Sequence, residues 1–205
     1  MANQPDTAQP VEAIRVGTCG WTDPTLIKAG TFYPAGTKTA EERLRFYASQ
    51  FPIVEVDATY YALPRQEQAG LWVERTPPDF VFNVKAYSLL TQHPTMAKTI
   101  PADLRESILP EHQDKQRLYP NHLAPEAVEE IWRRFAEALL PLDSAGKLGA
   151  VLLQFPEWFV PSRANREYLA LAKEELAGYR TCVEFRNRAW LATDHDRERT
   201  LGLLR

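Results

Sequence analysis

The sequence predicts an α/β fold of parallel βα units, TIM-barrel-like in kind, forming an incomplete barrel of about five strands. Three observations carry this expectation. Short apolar runs alternate five times with helical patterns, the order expected of right-handed parallel βα units. Within the runs, apolar and polar residues alternate with period two. The chain has 205 residues, whereas a complete (β/α)8 barrel takes about 250. An open doubly wound sheet is the competing architecture.

Residues 1–13 carry no apolar periodicity and read as a disordered leader before a single domain over 14–205. The first strand is expected at 14–19 (IRVGTC), followed by a helix over 38–51. Thr39 and Glu42 fit a capping box there, Leu44, Tyr47, Ala48 and Phe51 mark one apolar face, and Pro52 ends the pattern. The second strand is 53–58 (IVEVDA), and a short helix over 66–75 carries Leu71 and Trp72. The third strand is 80–85 (FVFNVK). A polar, proline-punctuated insertion occupies 88–124.

Pro125 suits the first turn of a helix running to about 140. Val128, Ile131, Trp132, Phe135 and Leu139 share one face of it, and Glu129–Arg133 and Glu130–Arg134 form i,i+4 pairs on the other. The fourth strand is 148–155 (LGAVLLQF), and Ser162 caps a helix to about 177 with Gly178 just beyond it. The fifth strand is 180–185 (RTCVEF), and a helix begins near Asp194. Leu201, Leu203 and Leu204 continue an apolar pattern with no stop signal, so a C-terminal truncation of the domain is expected.

Composition narrows the function classes. With 24 basic and 27 acidic residues, the net charge of −3 argues against nucleic-acid binding. No apolar run is long enough for a membrane span, and the start lacks a signal-peptide pattern, so a cytoplasmic protein is expected. Cys19 and Cys182 stand far apart with no Cys-x-x-Cys, which indicates neither a disulfide framework nor structural zinc. Gly17-x-x-Gly20 is too short for a phosphate-binding fingerprint and no helix follows it, so no cofactor is expected.

The strand alternation sorts side chains by face. Val54, Val56, Phe82, Val84, Leu153, Phe155, Val183 and Phe185 lie on the apolar side. Glu55, Asp57, Asn83, Lys85, Gln154, Glu184 and Arg186 lie on the other, near the carboxyl ends. Those ends are where barrels and open α/β sheets place ligands. Buried charges there need partners, and alternate barrel strands would bring Lys85 and Glu184 together.

The chain resembles the YecE-like family, known as domain of unknown function 72. The matching segments are GTCGW at 17–21, FYP at 32–34, Tyr47 and Ala48 leading through Phe51 to VEVD at 54–57, and YYALP at 60–64. Further on come Trp72, residues 80–85, His93, GKLG at 146–149, QFP at 154–156, EFRN at 184–187 and Trp190. The resemblance implies a TIM-barrel-like fold in a family whose reaction is not established. It departs from the pattern at Cys19, where family members often carry Ser, at Asp57, where Asn is usual, and in lacking the last third of the family domain.

The functional expectation is an enzyme acting by acid–base or hydrolytic chemistry on a small polar or anionic molecule at the strand ends. Glu184, Lys85 and His93 are the candidate catalytic groups. Arg186, Glu55, Asp57, Tyr60, Trp21, Gln154 and Asn83 are the candidate substrate contacts. Glu184 suits proton transfer, Lys85 and Arg186 charge stabilisation, and Tyr60 and Trp21 the wall of a pocket. Glu55 and Asp57 come from one strand with no histidine pair beside them, so no metal site is expected. His112, His122 and His195 fall in polar stretches and are expected at the surface. The alternative is a non-catalytic ligand-binding or protein-interaction module, with the 125–140 helix and the 88–124 insertion as its contact surface.

Overall fold

The computed structural model describes residues 14–205, and the predicted leader, 1–13, lies outside them. Its elements are α1 (Pro24–Ala29), α2 (Ala40–Gln50), β1 (Ile53–Val56), α3 (Ala58–Tyr61), α4 (Gln66–Glu74), β2 (Val81–Lys85), β3 (Thr95–Met96), β4 (Arg117–Leu118), α5 (Pro125–Ser144), β5 (Leu148–Phe155), α6 (Arg163–Glu175), β6 (Thr181–Phe185) and α7 (Asp194–Leu204). Strands β1, β2, β5 and β6 form an open, all-parallel sheet in that order, and β3 and β4 form a small antiparallel pair.

One sheet face carries Val54, Val56, Phe82, Val84, Val151, Leu153 and Phe155. They pack with Leu44 and Tyr47 of α2, Trp72 of α4, Ile131 and Phe135 of α5 and Leu169 of α6 in one continuous core. Helices cover this face because each presents an apolar stripe to it. The capping box of α2 forms as read: the Glu42 amide donates to Thr39 Oγ1 (3.1 Å) and the Thr39 amide to Glu42 Oε2 (2.8 Å). The other sheet face, bearing Glu55, Asn83, Lys85, Cys182 and Glu184, stays only partly covered or exposed.

Residues 14–19 differ from expectation. They run parallel to β1 but make a single bridge, Cys19 to Glu55, with the Glu55 amide donating to the Thr18 carbonyl (3.1 Å). The reason is Tyr47. The Thr18 amide donates to the Tyr47 hydroxyl (2.7 Å), which donates onward to the Ile53 carbonyl (3.2 Å), so a side chain relays what would be a ladder bond.

The 88–124 insertion is built of short helical turns and is anchored to the core at several points. Its turn at Ser88–Thr91 is buried throughout, and Ile100, Ile108, Leu118 and Leu123 join the core. His122 is buried and stacks on His112 at 3.9 Å between centroids, correcting its expected surface position. Ile131, Trp132, Phe135 and Leu139 of α5 are likewise fully buried, so that helix's apolar face is already occupied within the chain. On its outer face Arg133 pairs with Glu130 (2.6 Å) and Glu137 (2.5 Å) rather than with Glu129, while Glu130–Arg134 (2.7 Å) forms as read.

Two devices set the register of β5. The β2–β5 ladder shifts between Phe82 and Val84, and at the shift the Ala150 amide donates to Asn83 Oδ1 (3.0 Å). A Cβ at Gly149 would lie 2.5 Å from that same oxygen, so only glycine admits the Asn83 carboxamide. Just before β5, the buried Lys147 ammonium donates to the carbonyls of Val73 (2.8 Å) and Thr76 (2.8 Å) and to Thr76 Oγ1 (3.0 Å). It thereby ties the end of α4 to the sheet.

Candidate functional site

The carboxyl ends of all four parallel strands carry ionisable or amide side chains. Asp57 follows β1 and precedes α3 without capping it, so its carboxylate is free to turn to the next strand. Lys85, the last residue of β2, donates from Nζ to Asp57 Oδ1 (2.8 Å). Thr59 of α3 donates to the Lys85 carbonyl (2.6 Å), which docks this one-turn helix on β2 and sets Tyr60 beside the ammonium. Nζ lies 5.1 Å from the Tyr60 ring centroid, within cation–π range.

His93 completes the turn that follows β2. Gln92 adopts a left-handed conformation (φ 63°), and the His93 amide donates back to the Ser88 carbonyl (3.0 Å). The Thr91 hydroxyl lies within hydrogen-bond distance of both the Ser88 carbonyl (3.2 Å) and His93 Nδ1 (3.0 Å), which fixes the ring. The ring is 7% exposed and packs edge-on against Tyr60 (5.2 Å between centroids) and Trp158 (6.0 Å). Burial, and then the nearby Arg186 and Lys85 cations, push its pKa down to about 4, so the imidazole is neutral at physiological pH.

Toward the other edge of the sheet, on the same face, Gln154 of β5 donates from Nε2 to Glu184 Oε2 (2.8 Å) of β6. Arg186 donates from Nε to Glu184 Oε1 (3.4 Å). Glu184 is thus held by an amide and a guanidinium while still reaching solvent. Cys19 lies near Glu55, Asp57 and Lys85; burial first, then the Glu55 carboxylate, push its thiol pKa up, so it is not an activated nucleophile.

Several expectations change at this level. Lys85 and Glu184 do not pair: β5 lies between their strands, and each has a nearer partner in Asp57, Gln154 or Arg186. Trp21 is 8% exposed and packs edge-on against Trp72 (5.7 Å) and Phe82 (6.4 Å) on the helix-covered side, not against the ionisable groups. Asn83 is engaged with the β5 backbone. Glu55 makes no ion pair among the described residues. Trp158, in the turn after β5, is a ring contact of His93 that sequence reasoning missed; its signal was an aromatic residue directly after a strand-end motif. Among the described residues no group of three or more His, Cys, Asp or Glu side chains is placed to hold a metal ion. Among the described residues no helix is long and apolar enough to cross a membrane.

Comparisons with known proteins agree with this geometry at the level of fold and family. The family model described as "Protein of unknown function DUF72" matches residues 15–205. The chain is 34% identical over 179 residues to the UPF0759 protein YunF of Bacillus subtilis, covering 87% of this chain and 52% of that protein. The chain therefore spans about half the length of this curated relative. Among solved structures, a DUF72 family protein (EF0366) of Enterococcus faecalis superposes with a TM-score of 0.65 at 26% identity, covering 94% of this chain and 57% of that one. A DUF72 family protein (TM1631) of Thermotoga maritima superposes with a TM-score of 0.60 at 29% identity, covering 93% of this chain and 60% of that one. With a family match along nearly its whole length and a parallel α/β fold shared with two solved members, this chain belongs to the DUF72 family.

Proposed function

We propose that the strand-end cluster binds a small anionic substrate and exchanges a proton with it through His93. The observation that carries this reading is the arrangement of two cations, Lys85 and Arg186, near one buried imidazole whose Nε2 has no hydrogen-bond partner among the described residues. An anion between Lys85 and Arg186 would offset the charges that hold His93 neutral and raise its basicity as substrate binds. Asp57 orients Lys85, and Gln154 and Glu184 orient Arg186. Tyr60 and Trp158 flank the imidazole. This reading moves the proton-carrying role from Glu184 to His93, because Glu184 is already held by a guanidinium and an amide.

The test follows the His93 ring by NMR while inorganic phosphate or acetate is added. The expected result is a titration midpoint that climbs from about 4 as the anion binds, with the climb lost in Lys85→Met and Arg186→Met. In a panel of phosphate- and carboxylate-bearing metabolites, turnover should fall about 100-fold or more in His93→Gln. A midpoint indifferent to every anion would overturn the reading.

A further inference from the structure

Beside the strand-end cluster, α2, α4 and residues 19–24 enclose a cavity of about 510 Å³. This is within the size range of small-molecule sites. Its inner wall includes Trp21, Trp72, Leu44 and Val56, all buried, with the two indoles at 83° to each other. Two apolar side chains at its rim have no such cover: Tyr61 is 64% and Leu71 41% exposed. Of the charged side chains around it, Arg75 pairs with Glu41 (2.8 Å) and Asp57 with Lys85 (2.8 Å), while Asp23 caps α1, accepting from the amides of Thr25 (2.7 Å) and Leu26 (3.2 Å).

Two side chains join this cavity to the ionisable cluster. Asp57 lines the cavity and accepts from Lys85 Nζ, so a group seated in the cavity is one carboxylate away from the ammonium. Tyr61 at the rim packs edge-on against Tyr60 (5.0 Å between centroids), the ring beneath that ammonium.

We infer that the anionic substrate carries a neutral planar ring, and that the ring is seated in the cavity between α2, α4 and residues 19–24. The inference rests on the strand-end anion reading above and adds the substrate class. A neutral ring fits because Arg75 and Asp57 are already paired and the Asp23 carboxylate is engaged by the amides at the start of α1, and a planar one because flat aromatic walls bury ring faces and edges efficiently. The Gln68 amide at the cavity wall supplies both a donor and an acceptor for the ring's edge.

The experiment compares inorganic phosphate with phenyl phosphate on the full chain, in a Cys182→Ser background that leaves Cys19 as the single thiol. Calorimetry reads affinity, the His93 NMR signal reads the anion site, and iodoacetamide labelling of Cys19, which lines the cavity, reads ring occupancy. Phenyl phosphate should bind about 10- to 100-fold tighter than phosphate, as burial of one ring predicts, and should slow Cys19 labelling. Leu71→Gln, a polar change at an exposed position that adds no charge near the anion, should reduce that gain. Phosphate that moves His93 while phenyl phosphate binds no tighter overturns this inference and leaves the anion site standing. If neither moves His93, both readings fail together.

Discussion

Lys85 and Lys147 sit at opposite ends of neighbouring parallel strands, and their surroundings differ in one decisive respect. Lys147, at the amino end of β5, has three oxygen acceptors for its three N–H bonds. Lys85, at the carboxyl end of β2, has one carboxylate and the face of one ring. The first is a closed structural joint, and burial pushes its pKa down without releasing it from those acceptors. The second keeps donors in reserve. In parallel α/β folds the amino ends of the strands serve stability and the carboxyl ends face ligands. These two lysines express that division within one adjacent strand pair.

Lys147→Met should break the comparison most visibly. Leaving buried carbonyls without a donor should cost about 3 kcal/mol in denaturant unfolding. A loss below about 1 kcal/mol would mean the joint is not what holds α4 to the sheet.

Acid sharpens the contrast next. The folded chain holds His93 at about 4 against an ordinary 6.5, so below 6.5 the unfolded chain takes up the proton first. Stability should be fully present above pH 6.5, fall between 6.5 and about 4, and level off below that. The total change should be about 3 kcal/mol. His93→Gln should remove this part of the slope, and an unchanged slope in that variant would assign the acid sensitivity elsewhere.

The smallest effect is expected from Lys85→Met. A partly solvated ion pair contributes up to about 1 kcal/mol, so unfolding should barely change while phosphate binding is lost. Equal destabilisation by Lys85→Met and Lys147→Met would erase the distinction between the two ends.

Much of the frame was legible in residues close together along the chain. Thr39 and Glu42 announce the start of α2, Ser162 that of α6, and Pro125 that of α5, because capping and proline geometry are local. Other features depend on residues distant in sequence. The Tyr47 hydroxyl relays between residues 14–19 and β1, Asn83 fills the bulge of β5, and polar-looking turns in 88–124 bury their few apolar residues in the common core. None of these leaves a periodic trace.

The candidate site divides the same way. Period-two alternation determined that Glu55, Asn83, Lys85, Gln154 and Glu184 lie opposite the apolar face of their strands, since successive strand side chains must point oppositely. Which of them meet was decided only by strand order and by the turns after the strands. The insertion of β5 between β2 and β6 separates Lys85 from Glu184, and the docking of α3 and the 88–93 turn brings Tyr60 and His93 together. Charge pairing acts over a few ångströms through space, so tertiary structure rather than spacing along the chain selected the partners.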